Sequence, residues 1–126
     1  MSDDLNKKLK ELKYEDYIWI LYIGIIFLSL LSNVYEKDYF INKNPTSKTN
    51  YHKLNILIFS ILTIVYLYFL KSSISSLKNL KESDSYKKKK LTLLSFAGSL
   101  LIAVSGFIFL YIAITDNNLD VEIAFN

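Results

Sequence analysis

The sequence lacks cysteine and arginine, and it holds a single histidine, His52, and a single proline, Pro45. Without cysteine the chain has no disulfide, no zinc–thiolate or iron–sulfur ligand and no thiol nucleophile. One histidine cannot supply the pair of imidazoles that binds a haem between helices. His52 stands next to Lys53 with no partner acids, which favours a solvated side chain over a ligand. We therefore expect no cofactor and no metal site.

Charge is missing from three long stretches, residues 17–35, 54–70 and 91–115, of 19, 17 and 25 residues. As helices these would be roughly 28, 26 and 37 Å long, against about 30 Å for the hydrocarbon core of a bilayer. A helix on the surface of a soluble domain keeps one polar face, which these stretches lack. The sequence therefore predicts an all-α integral membrane protein with three transmembrane helices.

The same stretches contain no Asp, Glu, Lys or His. Such residues inside a membrane mark proton relays, ion paths and counter-ions of substrates. The spans also lack the paired aspartates, the Ser/His pair and the zinc motif that proteolysis within a membrane requires. The chain has no glycine-rich loop for binding phosphate. We therefore expect that the protein is not an enzyme. Nucleic-acid binding is not expected either, since the net charge is only +3 and the lysines are spread around the spans.

The segment before the first span, residues 1–16, has the spacing of an amphipathic helix that Ser2 or Asp3 would cap. Its apolar positions are Leu5, Leu9 and Leu12. Two interpretations stay open: a helix lying on the membrane surface, or a solvated lead-in to the first span, which we favour. A cleaved signal peptide fits poorly, because the apolar run is long and no alanine precedes Ala97.

The connections between the spans carry turn and cap signals. In the outer loop, residues 36–53, Asn44-Pro45 predicts a turn, and Thr49 or Asn50 is the expected cap of the second helix. We expect that helix to continue out of the membrane to Leu80 or Lys81. A turn at residues 83–85 follows, with Ser85 or Asp84 capping the third helix. Helices two and three would then form an extended antiparallel hairpin in the cytoplasmic connection, residues 71–90, and residues 116–126 would form an acidic tail outside.

The lysines predict the orientation. Residues 1–16 hold four, residues 71–90 hold seven, residues 36–53 hold four and the tail holds none. Because lysine is enriched on the cytoplasmic side, the N-terminus and the second connection should be inside and the C-terminus outside. The strongest local signal is a lysine tetrad directly before the third span: Lys87, Lys88, Lys89 and Lys90. The tetrad could also bind anionic lipids, although the topology role is sufficient to explain it.

Small residues recur along the third span at helical spacing. Thr92, Ser99, Gly106 and Ala113 are seven residues apart, and Ser95 and Ala103 flank them. We call these six residues the small-residue stripe. Small side chains let helix backbones approach closely within a membrane. The stripe is either a surface for oligomerisation or the intramolecular contact with the other two helices, which we favour. Gly98 and Ser105 form a neighbouring pair. The polar partners expected on the other helices are Ser29, Ser32, Asn33, Asn55, Ser60 and Thr63.

These features predict one domain, residues 1–126, in the cell membrane. The leading hypothesis is a non-enzymatic accessory or scaffold protein that acts by helix–helix packing. Its partners would be the lipid bilayer, anionic lipids included, and a second copy or another membrane protein. A holin-like pore-former is the second hypothesis, and a membrane-embedded immunity protein against a toxin is the third. Against the pore-former, holin-like proteins usually have a charged cytoplasmic C-terminus, whereas this tail is acidic and predicted outside.

Overall fold

The computed structural model describes residues 2–119, and regular structure there consists of three helices. They are α1 (Asp3–Asn42), α2 (Pro45–Lys78) and α3 (Tyr86–Thr115). Each is long and apolar enough to cross a membrane. The prediction of an all-α chain with three such helices is confirmed. The part of the tail from residue 120 onward lies outside the described residues.

Two compact units divide the chain, Met1–Leu54 and Asn55–Asn126. The first contains α1 and the beginning of α2, and the second contains the rest of α2 together with α3. The break falls inside α2, next to Lys53, where the second apolar stretch begins. The single-domain prediction stays a prediction.

Helix α1 begins where the sequence predicts. Ser2 is its N-cap, and the Ser2 hydroxyl accepts a hydrogen bond from the Leu5 amide at 3.3 Å. Asp3 and Asp4 in the first turn suit the positive end of the helix dipole. The helix then runs unbroken for 40 residues through the first apolar stretch. It ends at Lys43, which has a left-handed backbone (φ 55°) and donates its N–H to the Tyr39 carbonyl at 2.8 Å.

Helix α2 begins at Pro45, so the prediction of a cap at Thr49 or Asn50 is wrong. Proline suits the first position of a helix because its missing N–H needs no partner there and its φ is already helical. Asn44 stands directly before it and accepts the Thr46 amide on its side-chain oxygen at 3.0 Å. Most of the predicted outer loop, residues 36–53, is therefore helical, and only residues 43 and 44 lie between the helices.

Helix α2 ends at Lys78, two to three residues before the expected Leu80 or Lys81. The Leu80 amide bonds to the Leu77 carbonyl at 3.4 Å, a tightened last turn of the kind that closes helices. The turn that follows contains residues 83–85 as predicted. Ser85 is the N-cap of α3, and its hydroxyl accepts the Lys88 amide at 3.1 Å. Helix α3 ends at Thr115, the predicted end of the third span.

Within the second unit, α2 and α3 pack against each other in opposite directions. Phe59 of α2 contacts Phe109 of α3, with ring centroids 5.9 Å apart. Farther along α2, Ser73 meets Ser99, which lies earlier in α3. Phe59 and Ala113 form the buried centre of an apolar cluster. Around it pack Ile56, Leu62, Phe109, Leu110 and Ile112.

Candidate functional site: the α2–α3 seam and its lysine-rich end

The side chains of α3 that face α2 include members of the small-residue stripe. We call the contact between the two helices, from Phe59 to Ser73 on α2 and from Ser99 to Ala113 on α3, the α2–α3 seam. Ala103, Gly106 and Ala113 are buried, Thr92 and Ser99 are partly exposed, and Ser95 is exposed. The stripe is therefore covered toward its C-terminal end and open toward its N-terminal end.

At Gly106 the helix α3 lies directly against α2. A Cβ built at Gly106 would lie 2.9 Å from Cδ2 of Tyr66 and 3.2 Å from Oγ1 of Thr63. The first distance is shorter than a carbon–carbon contact allows, so any other residue at this position requires the Tyr66 ring to shift. Gly98, eight residues earlier, has nothing within 4 Å of the same position. The two glycines, alike in sequence, thus lie in opposite surroundings.

Thr63 is the polar residue that faces Gly106. It is 4% exposed, and its hydroxyl donates to the Phe59 carbonyl of its own helix at 2.6 Å. A hydroxyl that is bonded within its own helix can be buried in an apolar contact without loss of a hydrogen bond. Among the other expected partners Asn55 and Ser32 are buried, Ser60 and Ser29 are partly exposed, and Asn33 is exposed.

One hydrogen bond crosses the seam. The hydroxyl oxygens of Ser73 and Ser99 are 2.7 Å apart, and either can donate. Ser73 lies beyond the predicted second span and was not among the expected polar partners. The sequence alone could not single out Ser73, because Ser72, Ser75 and Ser76 are close by. Which of these serines meets Ser99 depends on how α2 and α3 are aligned along each other.

Beyond that bond the lysine tetrad lies in the first turns of α3, directly after Tyr86. Lys88 pairs with Asp84 at 3.2 Å, and Lys89 donates to the Glu82 carbonyl at 3.1 Å. Asp84 also accepts the Lys81 amide at 2.8 Å. That backbone hydrogen bond, and secondly the Lys88 ammonium, lower the pKa of the Asp84 carboxyl. The turn before α3 is thus held by an ionised aspartate.

A second polar cluster, which the sequence did not predict, holds the α1–α2 turn. The Asp38 carboxylate accepts Asn42 at 2.6 Å and Asn44 at 3.0 Å, and it also accepts the Ser47 hydroxyl. We call these four residues the Asp38 clamp. The bond from Ser47 is the largest cause of a lowered pKa of Asp38, followed by the bond from Asn42. Beside the clamp, the ammonium groups of Lys43 and Lys48 lie 5.9 and 5.4 Å from the centre of the Tyr39 ring.

Comparison with known proteins finds no family model, no curated protein and no solved structure that matches this chain. Within residues 2–119 no group of three His, Asp or Glu side chains is arranged as metal ligands. The geometry that the chain offers is a close helix pair, a polar turn at one connection and a lysine-rich helix start at the other.

Proposed function

We propose that this chain is a multi-pass protein of the cell membrane that acts as a non-enzymatic accessory or scaffold through helix–helix contact. The observation that carries the proposal is the α2–α3 seam. At Gly106 two apolar helices approach so closely that a methyl group would not fit unless the Tyr66 ring shifted. Small residues at such a contact are how membrane helices associate, since lipid offers no hydrophobic drive between them.

The outer surface of the helices supports a membrane environment. Trp19, Phe27 and Leu101 are each about two-thirds exposed, at 65%, 67% and 68%. Large apolar surfaces of this kind are rare on soluble monomers and mark contact with membrane or with other proteins. Lipid would cover most of this surface, and a partner helix would cover the part with small side chains.

For the orientation we propose a cytoplasmic N-terminus and an external C-terminus. The proposed cytoplasmic segments, residues 1–16 and 71–90, hold eleven lysines, whereas the proposed external segment, residues 36–53, holds four. In that orientation the ends of α2 and α3, with Lys78, the lysine tetrad and the turn between them, project on the cytoplasmic side as an antiparallel hairpin. The Asp38 clamp would lie outside.

The side of α3 that would contact a partner is the one with Gly98 and Ser105. Both residues are exposed, and the Ser105 hydroxyl donates to the Leu101 carbonyl of its own helix at 2.9 Å. A photo-reactive side chain at Ser105, in membranes of the native host, should yield one protein adduct of defined mass, either a second copy or another membrane protein. Val104 is exposed on another side of α3 and is the matched control, where lipid adducts should dominate. Equal adducts at both positions, or none at either, would contradict contact through this side.

A further inference from the structure

The ends of α2 and α3 enclose an open cleft of about 480 Å³ next to the lysine tetrad. Its lining combines two ammonium groups, four hydroxyls and one leucine: Ser76, Ser85, Lys87, Lys88, Leu91, Thr92 and Ser95. The cleft begins one helical turn beyond the Ser73–Ser99 bond, on the side of the connecting turn.

The chemistry of this lining suits a singly charged phosphodiester. Lys87 is exposed, and no ion pair of Lys87 occurs within residues 2–119. The Lys88 ammonium forms an ion pair with the Asp84 carboxylate at 3.2 Å, and the Lys88 side chain is 61% exposed. The ammonium can therefore bind a second anionic group as well. Ser85 already accepts the Lys88 amide, so the ammonium groups and not the start of the helix would supply the positive charge. Residues 71–90 hold seven lysines against two acids.

The height of the cleft selects a lipid as the source of the phosphate. Leu91 is the first residue of the third apolar stretch, and Lys88 lies roughly 4.5 Å before it along the helix. Ser76 lies roughly 9 Å past Leu70, where the second stretch ends. The headgroup layer of a bilayer is roughly 5–8 Å thick on each side. The ammonium groups of Lys87 and Lys88 therefore lie at the depth of lipid phosphates, with Leu91 at the start of the acyl chains.

We propose that this cleft binds the phosphate of an anionic lipid headgroup. The proposal rests on the membrane location proposed above, and it assigns to Lys87 and Lys88 a role that Lys89 and Lys90 do not share. Lys89 is turned toward the Glu82 carbonyl, and neither Lys89 nor Lys90 lines the cleft. The tetrad would thus contain two lysines that contact one bound lipid and two that act only as general positive charge.

The test is native mass spectrometry of the detergent-purified chain titrated with phosphatidylglycerol or with zwitterionic phosphatidylcholine. The wild-type chain should bind the first phosphatidylglycerol more tightly than phosphatidylcholine. The double variant Lys87→Gln/Lys88→Gln should weaken that first binding on the order of tenfold. The matched variant Lys89→Gln/Lys90→Gln removes the same charge and should change it by about twofold or less. Equal losses in both variants, or no loss in either, would overturn the proposal.

A variant without a charge change guards against misfolding as the cause. Ser95→Leu fills the cleft from an exposed position, and it should abolish the preference for phosphatidylglycerol while the helical circular dichroism stays unchanged. Retained preference in Ser95→Leu would overturn the site.

In a parallel titration, inorganic phosphate should not displace the lipid at millimolar concentration. Displacement would show that free phosphate is the ligand and would overturn the lipid. The purified chain in detergent has no partner protein, so this experiment tests lipid binding alone. Loss of the scaffold role would appear in the crosslinking at Ser105 and not here.

Discussion

Gly106 is the residue of the second unit where an added side chain would meet α2 directly. We expect Gly106→Leu to destabilise the chain by about 1–3 kcal/mol, because the added side chain would overlap Tyr66 and Thr63 and force the helices apart. The measurement is thermal or denaturant unfolding in detergent, followed by circular dichroism.

The control for this prediction is Gly98→Leu on the same helix. Nothing lies within 4 Å of a Cβ at Gly98, so the added side chain meets open space and improves helix propensity. Its stability should be unchanged or slightly higher. If both variants lost the same stability, the close approach at Gly106 would not be what holds α2 and α3 together.

At the Asp38 clamp the residue-scale prediction is a pH dependence. Three side chains donate to the Asp38 carboxylate, and the pKa of Asp38 lies below its ordinary value of 3.8. The ionised form therefore stabilises the folded turn above that value, and the stabilisation is lost as the pH falls through the lowered pKa. We expect Asp38→Asn to lower the melting temperature at pH 7, and the difference from wild type to shrink below about pH 4.

Glu36→Gln serves as the control for the clamp, because it removes a nearby negative charge without touching Asn42, Asn44 or Ser47. It should leave the melting temperature close to wild type at both pH values. A pH-independent difference for Asp38→Asn would show that the carboxylate charge does not hold the α1–α2 turn.

Among the elements, the α2–α3 pair has one hydrogen bond that can be measured alone. A double-mutant cycle of Ser73→Ala and Ser99→Ala should give a coupling free energy of about 0.6 kcal/mol, and not above about 1.7 kcal/mol, as is usual between helices in membrane proteins. Stability in detergent is the measurement for all four chains. A coupling near zero would mean that water or lipid replaces the bond at no cost.

Helix existence and most caps follow from the sequence, because charge exclusion and serine caps are local signals. Ser2 and Ser85 are caps as predicted, and α3 ends at Thr115. The start of α2 does not follow so simply. Asn-Pro indicates a turn, but it equally fits the last residue before a helix and its first position. The structure places Pro45 in the second role, which shortens the connection to residues 43 and 44.

The polar contacts were less predictable than the helices. The donors to Asp38 follow it by four, six and nine residues, a spacing that belongs to no helical repeat because it crosses the turn. The partner of Ser99 depends on how α2 and α3 are shifted along each other, which no local pattern specifies. The small-residue stripe could be predicted from the seven-residue spacing alone. Its contacts depend on how α2 and α3 are aligned along each other, which only the folded structure shows.

For the whole molecule, the proposed orientation gives a direct prediction. Reporter fusions should place residue 2 and the connection near Asn79 in the cytoplasm and a fusion after Thr115 outside. Replacing all four lysines of the tetrad by glutamine should produce a mixed orientation, because the strongest charge bias would be removed. The same replacement at Lys37, Lys43, Lys48 and Lys53 should strengthen the original orientation. A cytoplasmic C-terminus in the wild-type chain would show that the proposed topology is wrong.

A second prediction at this scale separates the scaffold from a pore-former. Liposomes reconstituted with the purified chain should retain an encapsulated dye. The contact between α2 and α3 consists of apolar side chains and the hydrogen bond between Ser73 and Ser99, and it does not line a water-filled channel. Induced expression should likewise leave cells impermeable to the dye. Concentration-dependent leakage would reject the scaffold in favour of the holin-like hypothesis.

The length of α1 sets a distance in the proposed arrangement. Its 40 residues correspond to roughly 60 Å, about twice the hydrocarbon core, and the helix contains no break between Ser2 and Lys43. The 14 helical residues before the first apolar stretch would therefore hold the N-terminus roughly 20 Å from the start of that stretch. A fluorophore attached at Ser2 should then report an average separation from a labelled lipid surface that hardly varies, whereas a flexible leader would give a broad distribution.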